Sequence, residues 1–494
     1  MDEQEEKQVE SCYEQRLLDD TVKPKISKLA ILSLVLGIFS LFFFVLAGIP
    51  AIVIGIVSTL RIRRSGGKLK GKYIALAGMN ISIVFMCIFY LFWRIDAPPI
   101  ANDYTIADLR SAPSQYATSF NILKELIDED PNLPGAPAMG LTEEDIEVIG
   151  EIGKVTHKGT PAEISEILKY YAEDVEQAWS RAQKAREVIS QLNEFVEIAD
   201  LTESDPFLKQ MRTHSLPRLA GLYQSYALLL TEQEDIHTFT TQLVEFDSVI
   251  RKTTLNVRPF TSKLVCNICV SIDIITANAI ANNPGASRES IELLARHFKP
   301  LTDELMSMRN CALFEYLFTK DFINEGFEST DVKSRPFFKK NSSIRWYRNL
   351  YDVGINSTEG DKDTTSRKLS VWPSIYPFKE PSSFENERTL PLLYRIYNPL
   401  GRVYIRQFRV PFKSRSLYPK ITSIWIQDDL LQIVLNKRLG NETNLTARAY
   451  GDEYIIDVKN RKIFNPGPDG KPGTKDDIKL CINPEVLHIN SREK

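Results

Sequence analysis

The sequence predicts a membrane-anchored protein with N-terminal transmembrane helices, then a mainly α-helical body, then a small α+β C-terminal region. Three observations carry this prediction. Two long stretches without a charged residue, 29–60 and 73–93, lie close to the N terminus. From residue 141 apolar side chains recur at helical spacing, and from residue 329 aromatic, proline and strand-forming residues become frequent.

The first apolar stretch, 29–60, is too long for one perpendicular crossing. As a single helix it would extend roughly 48 Å, whereas the hydrocarbon core of a bilayer is about 30 Å thick. A break is therefore expected at Gly48-Ile49-Pro50, where proline removes a backbone donor and clashes with the preceding turn. We predict a hairpin of two limbs, 29–46 and 51–60, and leave open whether it crosses the membrane once or twice. The second stretch, 73–93, has the length of one crossing.

The loop between these stretches, 61–72, is strongly basic and sets the predicted orientation. Short loops rich in Lys and Arg stay in the cytoplasm, so this loop and the N-terminal tail, 1–28, are expected inside the cell and the large remainder outside. The acidic first residues and the late start of the apolar run argue against a cleaved signal peptide. The cations of the loop are Arg61, Arg63, Arg64, Lys68, Lys70 and Lys72.

The anchor also resembles a known family. It contains Ala30-Ile-Leu-Ser-Leu-Val-Leu-Gly37, Gly48-Ile-Pro-Ala-Ile-Val-Ile-Gly55, Arg63-Arg-Ser-Gly-Gly67, and Gly71 with Ala75-Leu-Ala-Gly78. In this order the motifs resemble the small bacterial membrane module called domain of unknown function 4190, over residues 27–93. The resemblance implies a bacterial membrane protein and leaves the activity open. We predict an integral protein of the inner membrane.

Beyond the anchor we predict a linker over 94–140 and an α-helical domain over 141–328. Pro98-Pro99 and the proline-rich run 130–137 indicate the linker. A capping box at 160–163 begins a helix whose apolar residues alternate in steps of four and three, which is typical of a seam against one partner helix. Packing within the chain is preferred to a coiled-coil dimer, because helices at 217–230, 235–253, 260–282 and 287–324 follow. The seam consists of Ile164, Leu168, Tyr171, Val175, Ala178, Ala182, Ala185, Ile189, Leu192 and Val196.

Cys266 and Cys269 are the one pair of cysteines that lie close together in the sequence. A redox pair needs its first cysteine at a helix N-terminus, which lowers the thiol pKa, whereas these two lie inside the apolar run 264–270. Core packing is therefore predicted. An incidental disulfide and metal or redox chemistry are the alternatives.

The C-terminal region, 329–494, is predicted to be α+β. Aromatic and proline-rich loops at 335–338, 346–347 and 372–377 are followed by a strand-like run at 402–410 and a helix near 421–439. A hairpin then pairs 454–458 with 461–464 and turns at Lys459-Asn460.

A Gly- and Pro-rich loop, 465–478, follows the hairpin. Its three carboxylates, Asp469, Asp476 and Asp477, supply the hard oxygens that calcium prefers. A plain solvated acidic turn is the alternative, and it is slightly preferred. Helix, hairpin and loop together resemble the end of the major pseudopilin of type II secretion, whose C-terminal loop binds calcium. The pseudopilin's N-terminal methylation helix is absent here, so the resemblance does not imply a filament subunit.

The residues of the body do not identify a reaction. The net charge of −3 leaves the body without the basic face that nucleic-acid binding requires. None of the five histidines lies in a His-Glu-x-x-His pair, and no Gly-x-Ser-x-Gly motif is present. We therefore expect a non-enzymatic binding or scaffolding protein whose partners are the lipid bilayer and other envelope proteins. The alternative is a membrane-bound hydrolase whose active-site residues are dispersed along the chain.

Overall fold

The computed structural model describes residues 25–110, 116–127, 140–158, 161–202, 215–230, 233–331, 338–356, 417–441 and 454–489, together with residue 400. The chain divides into two compact units. The first unit contains Met1–Pro98, Thr330–Ser342 and Leu392–Arg402, and the second contains the rest of the chain.

The first unit is built on two apolar helices, α1 (Lys28–Arg64) and α2 (Lys72–Arg94). Two very short strands, β1 (Lys25–Ile26) and β2 (Leu69–Lys70), pair in parallel. The β2 strand lies in the basic loop between the helices, so the pairing fixes this loop to the residues that precede α1.

The segment Lys28–Arg64 is helical throughout, but it folds back on itself. Ser33 Oγ donates a hydrogen bond to the carbonyl oxygen of Ala51 at 2.9 Å, and the hydroxyl oxygens of Ser27 and Ser58 are 3.4 Å apart. Residues so distant could not meet along one straight helix, because each residue adds about 1.5 Å of rise. The midpoint of both pairs falls at residues 42–43, so the chain reverses between the two limbs.

The predicted break at Gly48-Ile49-Pro50 is therefore wrong in position, because Pro50 lies inside the helix. Proline removes only one backbone hydrogen bond, and packed membrane helices accommodate that loss through neighbouring groups. Pro50 is the residue that would destabilise a soluble helix most. The chain nevertheless reverses near residues 42–43 and not at Pro50.

Glycines allow α1 to pack closely against α2. A Cβ atom added to Gly78 would lie 2.5 Å from the carbonyl carbon and oxygen of Ser33, and one added to Gly37 would lie 2.5 Å from the carbonyl oxygen of Gly78. Only glycine therefore fits at these two positions, as is common where membrane helices touch. The larger apolar side chains lie on the outside, where Val53 and Ile88 each expose more than half of their surface.

Three segments of the described residues are long and apolar enough to cross a membrane. Two of them, Leu46–Arg64 and Lys72–Tyr90, belong to the first unit and are only 28% and 22% buried. The third, Phe260–Ala281, is 67% buried and contains the buried charged residues Lys263 and Asp273. We therefore treat Phe260–Ala281 as a core helix of the second unit.

The second unit is mainly helical, with a small sheet near its C-terminal end. The helices are α3 (Ala117–Ile127), α4 (Glu143–Lys158), α5 (Pro161–Arg181), α6 (Gln183–Asn193), α7 (Ser215–Ala227), α8 (Gln233–Asn256), α9 (Phe260–Ala281), α10 (Arg288–His297), α11 (Asp303–Met306), α12 (Arg309–Ser329), α13 (Lys340–Asn356), which begins in the first unit, and α14 (Leu417–Leu439). A short 3₁₀ turn, Ile106–Asp108, precedes α3. The strands β3 (Ile455–Asp457), β4 (Lys462–Asn465) and β5 (Ile478–Cys481) form an antiparallel sheet in that order.

The central element of the second unit is α9, which packs against α7, α8 and α14 and also contacts β5. Its buried residues include Val270, Ile274 and Ala277. Because α14 and the sheet pack on this helix, the C-terminal region and the helical body share one core. The sequence predicted them as separate regions, 141–328 and 329–494.

The predicted seam is buried within the chain, but it belongs to two helices rather than one. The helix breaks at Ala182, where α5 ends and α6 begins. The first part packs on α4 and α7 and the second on α8 and α3. Leu168, Val175, Ala178, Ala182, Ala185, Ile189 and Leu192 are buried, whereas Val196 lies beyond the end of α6 and is exposed.

Part of the segment predicted as a linker, 94–140, is packed onto the body. The helix α3 lies against α6 and α7, and its residues Leu123 and Leu126 are fully buried. The Arg110 backbone N–H donates a hydrogen bond to Asn310 Oδ1 at 2.9 Å. The proline-rich run 130–137 lies outside the described residues.

Two further sequence predictions differ from the structure. The helix predicted at 287–324 is three helices, α10, α11 and α12, because Pro300 follows the first and the chain turns again at Ser307. Trp346 and Tyr347, predicted in a loop, lie inside α13 and are buried. The hairpin has the predicted turn, while the strand-like run 402–410 lies outside the described residues.

Candidate functional site

The segment that follows α2 carries two aspartates with many hydrogen bonds. Asp96 belongs to the first unit, where it caps the start of α13. Its Oδ2 accepts a hydrogen bond from the Asn341 backbone N–H at 2.8 Å, and its Oδ1 accepts bonds from the Ser342 backbone N–H at 3.1 Å and from Ser342 Oγ at 2.9 Å. A carboxylate at a helix N-terminus satisfies free N–H groups and interacts favourably with the helix dipole.

Asp103 belongs to the second unit and binds three side chains of α12 and α13. Tyr316 Oη donates to both carboxylate oxygens, at 2.7 and 2.8 Å, and Lys320 Nζ and Arg348 Nη1 each lie 2.8 Å from the carboxylate. The Arg348 guanidinium also stacks on the Tyr104 ring, 3.7 Å from its centre. Burial favours the neutral acid, but the bonds from Lys320 and Tyr316 outweigh burial and hold the pKa of Asp103 below its ordinary value.

The interior of the second unit contains a charged cluster made by α8 and α10. Asp247 is fully buried, and its Oδ2 accepts hydrogen bonds from Arg251 Nε at 2.5 Å and from His297 Nε2 at 2.7 Å. The Arg251 guanidinium lies 5.4 Å from the centre of the Phe298 ring. Burial alone would raise the pKa of Asp247, but the charge of Arg251 and the bond from His297 lower it, so Asp247 is ionised.

A second buried carboxyl, Asp273 on α9, lies near this cluster. Neither of its oxygens has a hydrogen-bond partner among the described residues, and the residue is fully buried. Burial and the negative charge of Asp247 raise the pKa of Asp273 well above its ordinary value, against the opposing charge of Arg251. The pKa values of the two acids are therefore shifted in opposite directions, an arrangement that also occurs in acid–base sites.

Cys266 and Cys269 lie inside α9, fully buried and as free thiols. Burial raises the pKa of Cys266 to about 12, and that of Cys269 well above its ordinary value. Both are therefore neutral thiols at pH 7 and poor nucleophiles or metal ligands. The prediction of core packing agrees with this placement.

The carboxylates of the acidic loop accept hydrogen bonds from N–H groups of the same loop. Asp469 Oδ1 accepts from the Lys471 backbone N–H at 2.8 Å, Asp476 Oδ2 from the Asp469 backbone N–H at 3.2 Å, and Asp477 Oδ2 from the Gly473 backbone N–H at 3.0 Å. One oxygen, Asp477 Oδ1, is buried without a partner among the described residues. No group of three or more His, Cys, Asp or Glu side chains in the described ranges is arranged to hold a metal ion. Calcium binding by this loop stays a prediction.

Sequence reasoning found the acidic loop and the cysteine pair but missed the two clusters of charged residues. Asp247 and His297 are fifty residues apart, and Asp103 and Arg348 are 245 residues apart. Only tertiary packing brings such residues together. The one available signal was a charged residue on the apolar face of a predicted helix, as for Asp247 between Leu243 and Ile250.

Comparison with known proteins identifies the anchor alone. Residues 29–92 match the family described as Domain of unknown function (DUF4190). This confirms the predicted resemblance. No curated protein and no solved structure matches the chain.

Proposed function

We propose that the protein is tethered in the bacterial inner membrane and presents an extracytoplasmic body with a non-enzymatic binding or scaffolding role at the cell envelope. The observation that carries the proposal is the anchor, whose small residues face the interior and whose large apolar side chains face outward. The basic loop at one end of the anchor supports an orientation with the body outside.

A short tether connects the anchor with the body. The helix α2 ends at Arg94. Nine residues later, Asp103 forms ion pairs with Lys320 and Arg348 of the second unit. A body joined to the anchor by so few residues supports envelope proteins and the bilayer as partners.

The surface and interior of the body both support binding over catalysis. Tyr170 on α5 is 78% exposed, and exposed aromatic side chains are enriched where proteins bind one another. In the interior, Arg251 and His297 are bound to the same oxygen of Asp247, which stabilises a buried charge and leaves less freedom to act on a substrate.

One observation favours the alternative, a membrane-bound hydrolase. The Asp247–His297 hydrogen bond has the geometry by which a carboxylate orients a histidine base, and His297 retains some exposure. The full chain, purified in detergent, can be tested with ester, phosphoester and peptide substrates. We expect no turnover that depends on this pair. Turnover removed by Asp247→Asn and by His297→Gln, but kept by the surface variant Lys154→Gln, would replace the proposal with the hydrolase.

The orientation is tested by introducing one cysteine at a time into a Cys12→Ser/Cys87→Ser/Cys481→Ser background, which keeps only the buried Cys266, Cys269 and Cys311. Lys70→Cys lies in the basic loop and Lys459→Cys in the turn of the hairpin, and both positions are exposed. A membrane-impermeant maleimide added to spheroplasts should label Lys459→Cys, whereas Lys70→Cys should react only after the membrane is opened. The reverse pattern would overturn the proposed orientation.

The binding role is tested from the exposed tyrosine. A photo-crosslinking residue in place of Tyr170 should give an adduct of one defined mass in native membranes, whereas the same residue in place of Lys154 should give none. Identical adduct patterns from both positions would contradict a specific binding surface on α5.

A further inference from the structure

The ends of the anchor helices gather cations on one side of the first unit. The pairing of β1 with β2 places Lys25 opposite Leu69 and Ile26 opposite Lys70. The contact between Ser27 and Ser58 brings the start of α1 beside the last turns of the same helix. Eight exposed cations, namely Lys68 and seven others, therefore lie at one end of the anchor. These seven are Lys25, Lys28, Arg61, Arg63, Arg64, Lys70 and Lys72, called the basic cap below.

The anchor itself supplies no negative charge to balance the basic cap. Residues 21–95 contain no aspartate and no glutamate. Seven like charges on neighbouring turns repel one another unless anions come between them. The basic cap therefore favours a partner that brings several negative charges to the ends of these helices, in competition with residues 1–20, which carry a net charge of −6.

The surroundings of the basic cap indicate where those anions lie. Val57 and Leu60 on the last turns of α1 are each nearly half exposed, and Tyr73 on the first turn of α2 is 84% exposed. The cations thus border directly on the apolar surface. Long basic side chains at such a border place their charge at the level of the lipid headgroups.

The turn between the helices adds phosphate chemistry to the charge. Ser65 has right-handed helical backbone geometry and Gly66 has a φ of +59°, so right- and left-handed residues follow each other. This succession turns consecutive N–H groups toward one side, which is a common anion-binding arrangement. A Cβ atom added to Gly66 would meet nothing within 4 Å, so a phosphate group can approach this backbone.

We propose that the basic cap is a binding surface for anionic phospholipid headgroups. Basic loops are already known to set the orientation of membrane proteins, whereas this proposal assigns them a ligand. It is based on the pairing of β1 with β2 and the contact between Ser27 and Ser58, which join two segments of the chain into one surface. It rests on the proposed placement of the anchor in a membrane. It does not depend on the side on which the body lies or on what the body does.

The test measures lipid retained by the purified full chain. The protein is equilibrated in detergent micelles that contain equal amounts of phosphatidylglycerol and phosphatidylcholine, and the lipid that stays bound is quantified by mass spectrometry. Arg63→Gln/Arg64→Gln/Lys70→Gln removes three cations of the basic cap. Lys169→Gln/Lys184→Gln/Lys459→Gln removes three exposed cations of the body and is the matched control.

The wild type and the control should retain phosphatidylglycerol in preference to phosphatidylcholine. Because each cation near a lipid surface changes binding about fivefold, the basic-cap variant should lose on the order of a hundredfold of its preference. Equal retention of both lipids by the wild type would overturn the proposal, as would an unchanged preference in the basic-cap variant. Displacement of the lipid by a DNA duplex at the same phosphate concentration would assign the surface to nucleic acid instead. Cysteine labelling that contradicts the orientation would leave these outcomes unaffected, so the two failures are distinguishable.

Discussion

Replacing Asp103 by asparagine should destabilise the second unit, and it should do so more than neutralising the exposed acid Glu304. Asparagine has the same shape and keeps one oxygen that can accept the bond from Tyr316 Oη. It loses the negative charge that lies 2.8 Å from both Lys320 Nζ and Arg348 Nη1. These two cations then remain with little solvent, since only 24% and 17% of their side-chain surfaces are exposed.

The magnitude follows from these contacts. Removing one partner of a buried ion pair costs about 3–5 kcal/mol, because the other charge stays unpaired. Here the cost is smaller, because Lys320 Nζ also donates to the Tyr104 carbonyl oxygen at 3.2 Å and the Arg348 guanidinium stacks on the Tyr104 ring. We expect a loss of about 2–4 kcal/mol, which for a unit of this size lowers the melting temperature by roughly 2–5 °C.

The assay is a thermal melt of the full chain in detergent, followed by circular dichroism. Glu304→Gln is the matched control, because it also neutralises an acid, paired with Arg110, but its side chain is 68% exposed. Exposed ion pairs contribute about 0–1 kcal/mol, so the control should melt within about 1 °C of the wild type. Equal melting temperatures for Asp103→Asn and Glu304→Gln would refute the reasoning.

The effect of Asp103→Asn should also depend on pH. The pKa of Asp103 is lowered in the folded state, so its contribution is fully present above the unfolded pKa of about 3.9. The contribution is lost as the pH falls from that value through the folded pKa. The difference between wild type and Asp103→Asn should therefore be constant from pH 5 to 8 and shrink below about pH 4.

Three further predictions concern other parts of the chain. Gly78→Ala should destabilise the anchor by about 1–3 kcal/mol in a denaturant titration, because its Cβ would meet backbone. Gly48→Ala should be tolerated, because its closest contacts are with the flexible Met86 side chain and its contact with Ser40 Cβ, at 3.7 Å, is an ordinary one; equal losses would contradict this. The raised folded pKa of Asp273 makes the folded state less stable as the pH rises above about 3.9, so Asp273→Asn should raise the melting temperature at pH 8 and less at pH 4. Calcium should raise the melting temperature of the full chain reversibly with chelator, and Asp469→Ala with Asp476→Ala should abolish the rise; an unchanged melt would leave the loop an ordinary acidic turn.

The anchor was the part that the sequence predicted best, for a physical reason. Long uncharged stretches and the basic residues that flank them stand out in the sequence, as expected of segments that can cross a membrane. The place where α1 reverses was harder, because close packing of Gly37 and Gly78 and the bond from Ser33 to Ala51 stabilise the folded-back pair. Such contacts depend on which residues meet in the folded chain, and the tendency of Pro50 to break a helix does not predict them.

In the second unit the sequence predicted helices more accurately than the contacts between them. The period of the apolar residues predicted α7, α8 and α9 within a few residues of their ends. The break at Ala182 has no glycine or proline to mark it, and it follows from the change of partners between α5 and α6. The ion pairs of Asp103 and Asp247 were not predictable, because their partners come from distant parts of the chain.

The distribution of charge supports the proposal that the anchor, and not the body, binds the membrane. Residues 1–20 carry a net charge of −6, residues 21–95 carry ten cations and no acid, and residues 96–494 carry a net charge of −7. An acidic body is repelled by anionic headgroups, with a range of about 8 Å at physiological ionic strength. Binding of the body to such a surface would oppose its own charge, while the basic cap is attracted to it. This difference in charge supports the two proposals together: the cations at the ends of α1 and α2 contact anionic lipid, and the surface of the body is left for other partners.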